Sequence, residues 1–147
     1  MGLKMSNSSE RGATLVEFAI AGTVFLTAMF AVIEFGRALW VHNALSDAAR
    51  RGARYASINS ASKIDEVKNV VVYGDPAGGS NPLVNNLSTA DVEVIYSGFN
   101  VGEGTVAVSI TDYQFEFVVP LIGTSIQMPT YATAITGESA GLVPPNK

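Results

Sequence analysis

Cysteine is missing from the 147 residues, which excludes disulfides and thiolate metal sites. Histidine occurs once, so a Ser-His-Asp triad or a histidine metal site would depend on His42 alone. On a helix face of small residues, packing or capping a polar group suits that side chain better. Charge is scarce as well. Charged residues make up 15% of the chain, where about a quarter is usual for soluble domains. The formal net charge of -4 argues against a nucleic-acid partner, which calls for a basic balance. The few charges are unevenly placed, and residues 18–33 carry none.

What is present begins with that uncharged run. From Ala13 to Ile33 the sequence reads ATLVEFAIAGTVFLTAMFAVI, with Glu17 as its one charge. About 20 such residues cross a bilayer as a helix. A removable secretory signal has a shorter apolar core and an A-x-A-like exit. A helix buried in a soluble core rarely leaves all its sides uncharged. The run is therefore read as a retained transmembrane helix. The helical pattern continues without proline to Ala56. Phe35, Ala38, His42, Leu45, Ala49, Gly52 and Ala56 recur every three or four residues and share a face. Arg37, Asn43, Asp47, Arg50, Arg51 and Arg54 fall mostly elsewhere, with Asp47 and Arg51 as an i,i+4 pair. Helical throughout, residues 13–56 would form a rod about 65 Å long. Gly22, Gly36 and Gly52 each weaken an isolated helix by roughly 1 kcal/mol relative to Ala, but they permit close helix approach in a membrane. Ala19, Thr23, Thr27 and Ala31, at four-residue steps, form a candidate packing seam.

An ionised Glu17 inside an apolar run costs a few kcal/mol in lipid. The surrounding residues RGATLVEF resemble the processing site of type IV pilins and pseudopilins: a short polar leader, a Gly, a small residue, and Glu five residues after the Gly. The longer stretch Arg11–Ala56 resembles the TadE-like family of pseudopilins. Its carrying pieces are Glu17-Phe18, IEFGRA at Ile33–Ala38, NAL at Asn43–Leu45 and AARRGARYA at Ala48–Ala56, with Arg51 where Glu is more usual. The resemblance implies that a prepilin peptidase cuts between Gly12 and Ala13. Glu17 would then pair with the freed amino terminus of a neighbouring subunit. An unpaired buried charge is costly, so a partner that brings the counter-charge is preferred. The resemblance further implies helix packing between subunits through Phe18, Glu34, Phe35, Gly36 and Arg37. For Glu34 and Arg37, three apart at the water-facing end of the span, a plain surface ion pair is the other reading. The motif sends the leader to the cytoplasm and the bulk outward. The basic residues after the span argue the other way, and the motif is preferred because Arg50–Arg54 lie well beyond the span. Met5 offers a second start with the same cut. Arg50, Arg51 and Arg54 read as a solvated face, with an acidic partner as the alternative.

Past the helix, residues 60–75 suggest a second one. Ser62 is its candidate cap, and Ile64, Val67, Val70 and Val71 share a face, although Val70–Tyr73 would also suit a strand. Gly74–Pro82 is a loop without the Gly-Lys-Ser/Thr ending of a phosphate loop. Val92, Val94 and Tyr96, and then Val106, Val108 and Ile110, alternate as strands do. After Asp112 the bulky set moves to Tyr113, Phe115, Phe117 and Val119, a change of parity that predicts a bulge at Thr111-Asp112. Pro120 would end that strand, LIGTSIQMP cross over, and Thr130–Thr136 form the last strand. The three aromatics read as core, with an exposed adhesive patch as the alternative. Asp91, Glu93, Glu103, Asp112 and Glu116 offer carboxylates, but nothing brings two of them into one cleft.

The expected fold is α+β and pilin-like: a long amino-terminal helix, transmembrane in its first half, with a small antiparallel sheet on its projecting half. The expected divisions are a leader (1–12), the transmembrane half (13–33), the projecting half (34–56), an exported α+β module (57–137) and a flexible tail (138–147). The resemblance implies a minor pilin or pseudopilin supporting a tight-adherence pilus or secretion system and, through it, surface attachment and biofilm formation. Its expected location is the inner membrane, with one pass, the module in the periplasm or outside the cell, and possible incorporation into a pilus. Expected partners are prepilin peptidase, other pilins, the inner-membrane assembly platform and membrane lipid. No cofactor, metal, nucleic acid, small-molecule substrate or catalysis is expected. A main filament subunit is an alternative, although such subunits are usually shorter. A membrane-tethered binding module is another, and it would need neither Gly12 nor Glu17.

Overall fold

The computed structural model describes residues 8–100, 103–119 and 124–136. Residues 1–7 of the expected leader and the expected 138–147 tail lie outside the described residues, and the strand expected to run to Pro120 ends already at Glu116. Helix α1 runs unbroken over Ser8–Ser57, as the proline-free pattern requires. It ends where Asn59 donates its side-chain amide to the Tyr55 carbonyl (2.8 Å) and Ser57 Oγ donates to the Arg54 carbonyl (2.9 Å). These bonds satisfy carbonyls that have no partner within the helix.

The two halves of α1 differ in what covers them. From Gly12 to Ile33 the side chains are exposed except at Gly22 and Ala31, which are half-buried. From Val41 onward one stripe is sealed: Val41, Leu45, Ala48, Ala49, Gly52, Ala53 and Ala56. The expected face was one row off at its start. Phe35 and His42 lie outside the stripe, and Val41, Ala48 and Ala53 lie within it. A 3.6-residue period lets neighbouring rows both look regular, and the sheet selects the row that lets backbones approach. The expected Asp47–Arg51 pair is also replaced. Asp47 faces Arg50 at 3.6 Å, and Arg51 donates to the Val70 carbonyl at 3.3 Å.

A 3-10 turn over Ala61–Lys63 leads into α2 at Ile64–Tyr73. The expected Ser62 cap does not form, because Ser62 Oγ meets Ser60 Oγ at 2.6 Å and no side chain caps the turn. Val67, Val70, Val71 and Val72 are buried, so the valine run is helical despite its strand-like composition. Gly74 closes α2 in the left-handed region (φ 80°), donating back to Val70, as a glycine readily does.

Strands β1 (Val92–Asn100), β2 (Glu103–Ile110) and β5 (Tyr131–Thr136) form an antiparallel sheet in the order β1-β2-β5. Val94 and Thr133 both lie opposite Val108, and Ile110 lies between Val92 and Tyr131. Val92, Val106, Val108, Ile110 and Tyr131 are buried with the α1 stripe and α2 in one core. Each fully buried aliphatic or aromatic side chain there contributes about 1.5–3 kcal/mol.

The parity change has a different cause from the bulge expected. Asp112 adopts a left-handed conformation (φ 58°) that ends β2 and starts a separate two-stranded sheet. This sheet comprises β3 (Gln114–Glu116) and β4 (Ser125–Gln127). β4 falls within the segment read as a crossover. It was illegible because it has three residues, all exposed. Tyr113 and Phe115 are buried and Phe117 packs partly against the core, so the aromatics are core.

Candidate functional site

The first half of α1 presents Gly12, Ala13, Glu17 and Phe18 on its open surface. Glu17 meets no cation or hydrogen-bond donor among the described residues. A methyl group added at Gly12, Gly22 or Gly36 would meet no atom within 4 Å, whereas one at Gly52 would collide with Val71. The first three glycines therefore leave space that no described residue fills. Thr23 returns its hydroxyl to the Ala19 carbonyl at 2.8 Å, so these two members of the small-residue row stay smooth. By length and composition, the helix can cross a membrane.

Glu34 and Arg37 stand just beyond this bare stretch and form a clamp. Glu34 is buried despite its charge. Its Oε2 accepts from Arg37 Nη2 at 2.9 Å and from Arg37 Nε at 3.3 Å. Its Oε1 accepts from the Val118 backbone N–H at 3.1 Å. Arg37 also donates to the Glu116 carbonyl, and its guanidinium lies 4.3 Å from the centre of the Phe115 ring. Phe115 in turn meets Phe117 edge-on, with ring centres 5.3 Å apart. Two side chains one turn apart on α1 thus grip both the backbone and the aromatic face of the β3–β4 hairpin. The pair is more than a surface ion pair, because each partner also holds a residue about 80 positions away. That reach could not be read from the i,i+3 spacing. Phe35 and Gly36, between the clamp residues, remain exposed.

The clamp's electrostatics follow from these bonds. The Arg37 hydrogen bond holds the Glu34 carboxyl below the ordinary carboxylate range, against the upward push of burial, and the Val118 N–H adds to the lowering. A second network ties α1 to α2. Tyr55 OH donates to Glu66 Oε2 at 2.6 Å, and Lys63 Nζ donates to the same oxygen at 3.0 Å. Tyr55 first, and Lys63 second, lower the Glu66 carboxyl, while Glu66 raises the Tyr55 phenol.

His42 meets Tyr131, its Nδ1 lying 2.8 Å from the phenol oxygen and its ring edge-on to the Tyr131 ring. It thus joins α1 to β5. Arg50 and Arg54 are exposed. Among the distal carboxylates, Asp91 caps its own turn through Ser88 and Asp112 accepts from Gln127 at 3.1 Å. Among the described residues, no three His, Asp or Glu side chains gather as a metal site. A cavity of about 310 Å³ lies beside the clamp, lined by Arg37, Trp40, Asn85, Asn86, Phe117 and Val118 among others.

Residues 12–54 match the family model described as TadE-like protein, a little under a third of the chain. No curated protein and no solved structure matches. The matched stretch starts at Gly12, takes in the bare half of α1 and the clamp residues, and stops just short of the helix end. Over that helix the chain is similar to the TadE-like family.

Proposed function

We propose that the chain is a minor pilin or pseudopilin of a tight-adherence system. Residues 1–12 act as a leader, and prepilin peptidase cuts between Gly12 and Ala13. Residues 13–33 hold the protein in the inner membrane, and residues 34–56 with the 57–137 module project outward, followed by the 138–147 tail. The observation that carries this reading is that the family match begins at Gly12 and runs along a helix whose first half no other described residue covers. An apolar helix with open sides finds its cover in lipid and then in the helices of other pilins. Such packing is favoured where small residues let backbones approach.

Glu17 gives that packing a register. The cut at Gly12 frees an ammonium on Ala13, and a neighbouring subunit's Glu17 supplies its counter-charge in a medium where neither is stable alone. Phe18, Phe35 and Gly36 form the packing surface. Glu34 and Arg37 hold the hairpin beside it, so that the surface keeps one shape. Catalysis plays no part in this role.

The test is the amino-terminal residue of the protein recovered from producing cells. Ala13 is expected for the native chain, and an uncut start for Gly12→Val. Recovery of native protein with its leader intact would overturn the cleavage. Glu17→Gln should still be cut, but its co-purification with partner pilins should fall about tenfold or more, because a neutral amide leaves the new ammonium unpaired in lipid. Assembly of that variant at native levels would favour a membrane-tethered module instead.

A further inference from the structure

We propose that the β3–β4 hairpin is a membrane foot. While the subunit resides in the bilayer, the hairpin rests around Val118 in the headgroup layer of the leaflet from which α1 emerges, flanked by Phe35, Leu39 and Trp40. The inference rests on the reading of residues 13–33 as the span.

Height is the first argument. Residues 13–33 make about 31 Å of helix, which matches a hydrocarbon core of about 30 Å. Glu34 is the next residue, and its carboxylate holds the Val118 N–H at 3.1 Å. The clamp therefore fixes Val118 level with the end of the span. The polar layer on each side of the hydrocarbon is about 5–8 Å deep. Phe35 lies about 3 Å above Ile33 along the helix, Leu39 about 9 Å and Trp40 about 10 Å. Phe35 therefore lies within that layer, and Leu39 and Trp40 lie at its outer edge.

Chemistry is the second argument. Val118 is 74% exposed, Phe35 66% and Trp40 61%, with Leu39 also exposed. Single apolar residues on a wet surface need no explanation, but four within one narrow band do. Trp is suited to this depth, having an apolar body and one polar N–H. The described residues Phe117, Val118 and Val119 that follow β3 carry no charge.

Rigidity is the third. Arg37 holds the Glu116 carbonyl, and Phe117 N–H bonds the Thr124 carbonyl at 3.0 Å across the hairpin. The hairpin cannot swing clear of the bilayer surface without breaking the clamp. It would therefore set the tilt of the span and the height of the module.

The absence of cysteine makes the test direct, since a single introduced cysteine carries the only label. Leu26→Cys, Val118→Cys and Ile95→Cys replace exposed side chains on the span, the hairpin and the sheet's outer face. Each full-length variant carries a nitroxide in nanodiscs of phosphatidylethanolamine and phosphatidylglycerol. Collision with oxygen, which favours lipid, is compared with collision with a water-soluble nickel chelate. The oxygen-to-nickel ratio at position 118 should exceed that at position 95 by about threefold or more, as for a residue in the interface, with position 26 higher still. Emission of Trp40 should also be quenched by lipids brominated near the headgroup. Equal ratios at 118 and 95 would overturn the foot while leaving the span intact. A water-like ratio at 26 would instead overturn the span. Shielding at 118 from both colliders that disappears at one copy per disc would assign the patch to a second subunit and sink the proposal.

Discussion

Glycines separate the inward and outward surfaces of α1 at single-residue resolution. At Gly52 an added methyl group would collide with Val71 and press on Val108 Cγ1 at 3.2 Å. Both neighbours are fully buried, stiff β-branched side chains. Overpacking a tight core costs about 1–3 kcal/mol, and the helix propensity gained returns at most ~1 kcal/mol. Gly52→Ala is therefore expected to lose about 1 kcal/mol net and several degrees of melting temperature, measured by circular dichroism in detergent. At Gly36 the same change meets open space. Gly36→Ala should stabilise the isolated subunit by up to ~1 kcal/mol while weakening co-assembly with partner pilins. If it assembles as well as the native chain, Gly36 is not at a subunit contact. Composition alone treats these glycines alike, and only what lies across from each distinguishes them.

The short hairpin depends on the clamp more than on its own strands. A two-stranded unit of three residues per strand is marginal by itself, and β3–β4 has that size. What holds it is Phe115 in the core and the grip of Glu34 and Arg37 on Val118 and Glu116. Glu34→Gln retains an acceptor for Val118 but loses the charge that organises Arg37. Amide exchange at Val118 and Phe117 should then quicken by roughly an order of magnitude while β2 amides stay protected, as for a local opening. Uniform acceleration across both sheets would mean the clamp supports the whole module. This level of structure is also where the sequence stops being readable. The long helix was legible because proline is absent over fifty residues and the apolar run is continuous. Strands β1, β2 and β5 were legible because alternation over six or more residues leaves one choice of face. β3 and β4 were not, since three residues carry no period and a left-handed Asp112 imitates a bulge in the pattern. The clamp showed as a pair, Glu34 and Arg37, but its partners lie 79 and 84 residues onward, where helical spacing says nothing.

As a whole molecule the chain joins an uncovered apolar helix to a module fastened by a few ionised side chains, and the two parts should respond differently to acid. Glu34 and Glu66 both have carboxyls held below their ordinary values, by Arg37 and by Tyr55 with Lys63 respectively. A carboxyl whose folded pKa is depressed binds protons more weakly when folded than when unfolded. It therefore contributes stability above the unfolded value of about 4.3, and that stability is lost as pH falls through the lower folded value. The module should melt at a nearly constant temperature from pH 7 to about pH 5 and then at progressively lower temperature below about pH 4. Between Ala13 and Ile33 Glu17 is the one charged residue, so helix signal from that half should persist in detergent after the sheet signal is gone. The double variant Glu34→Gln, Glu66→Gln should melt lower than the native chain at pH 7 and show a flatter decline in acid. Circular dichroism melts at pH 7, 5 and 3.5 read both arms. If the double variant kept the native acid slope, other carboxylates would have to hold the module on its helix.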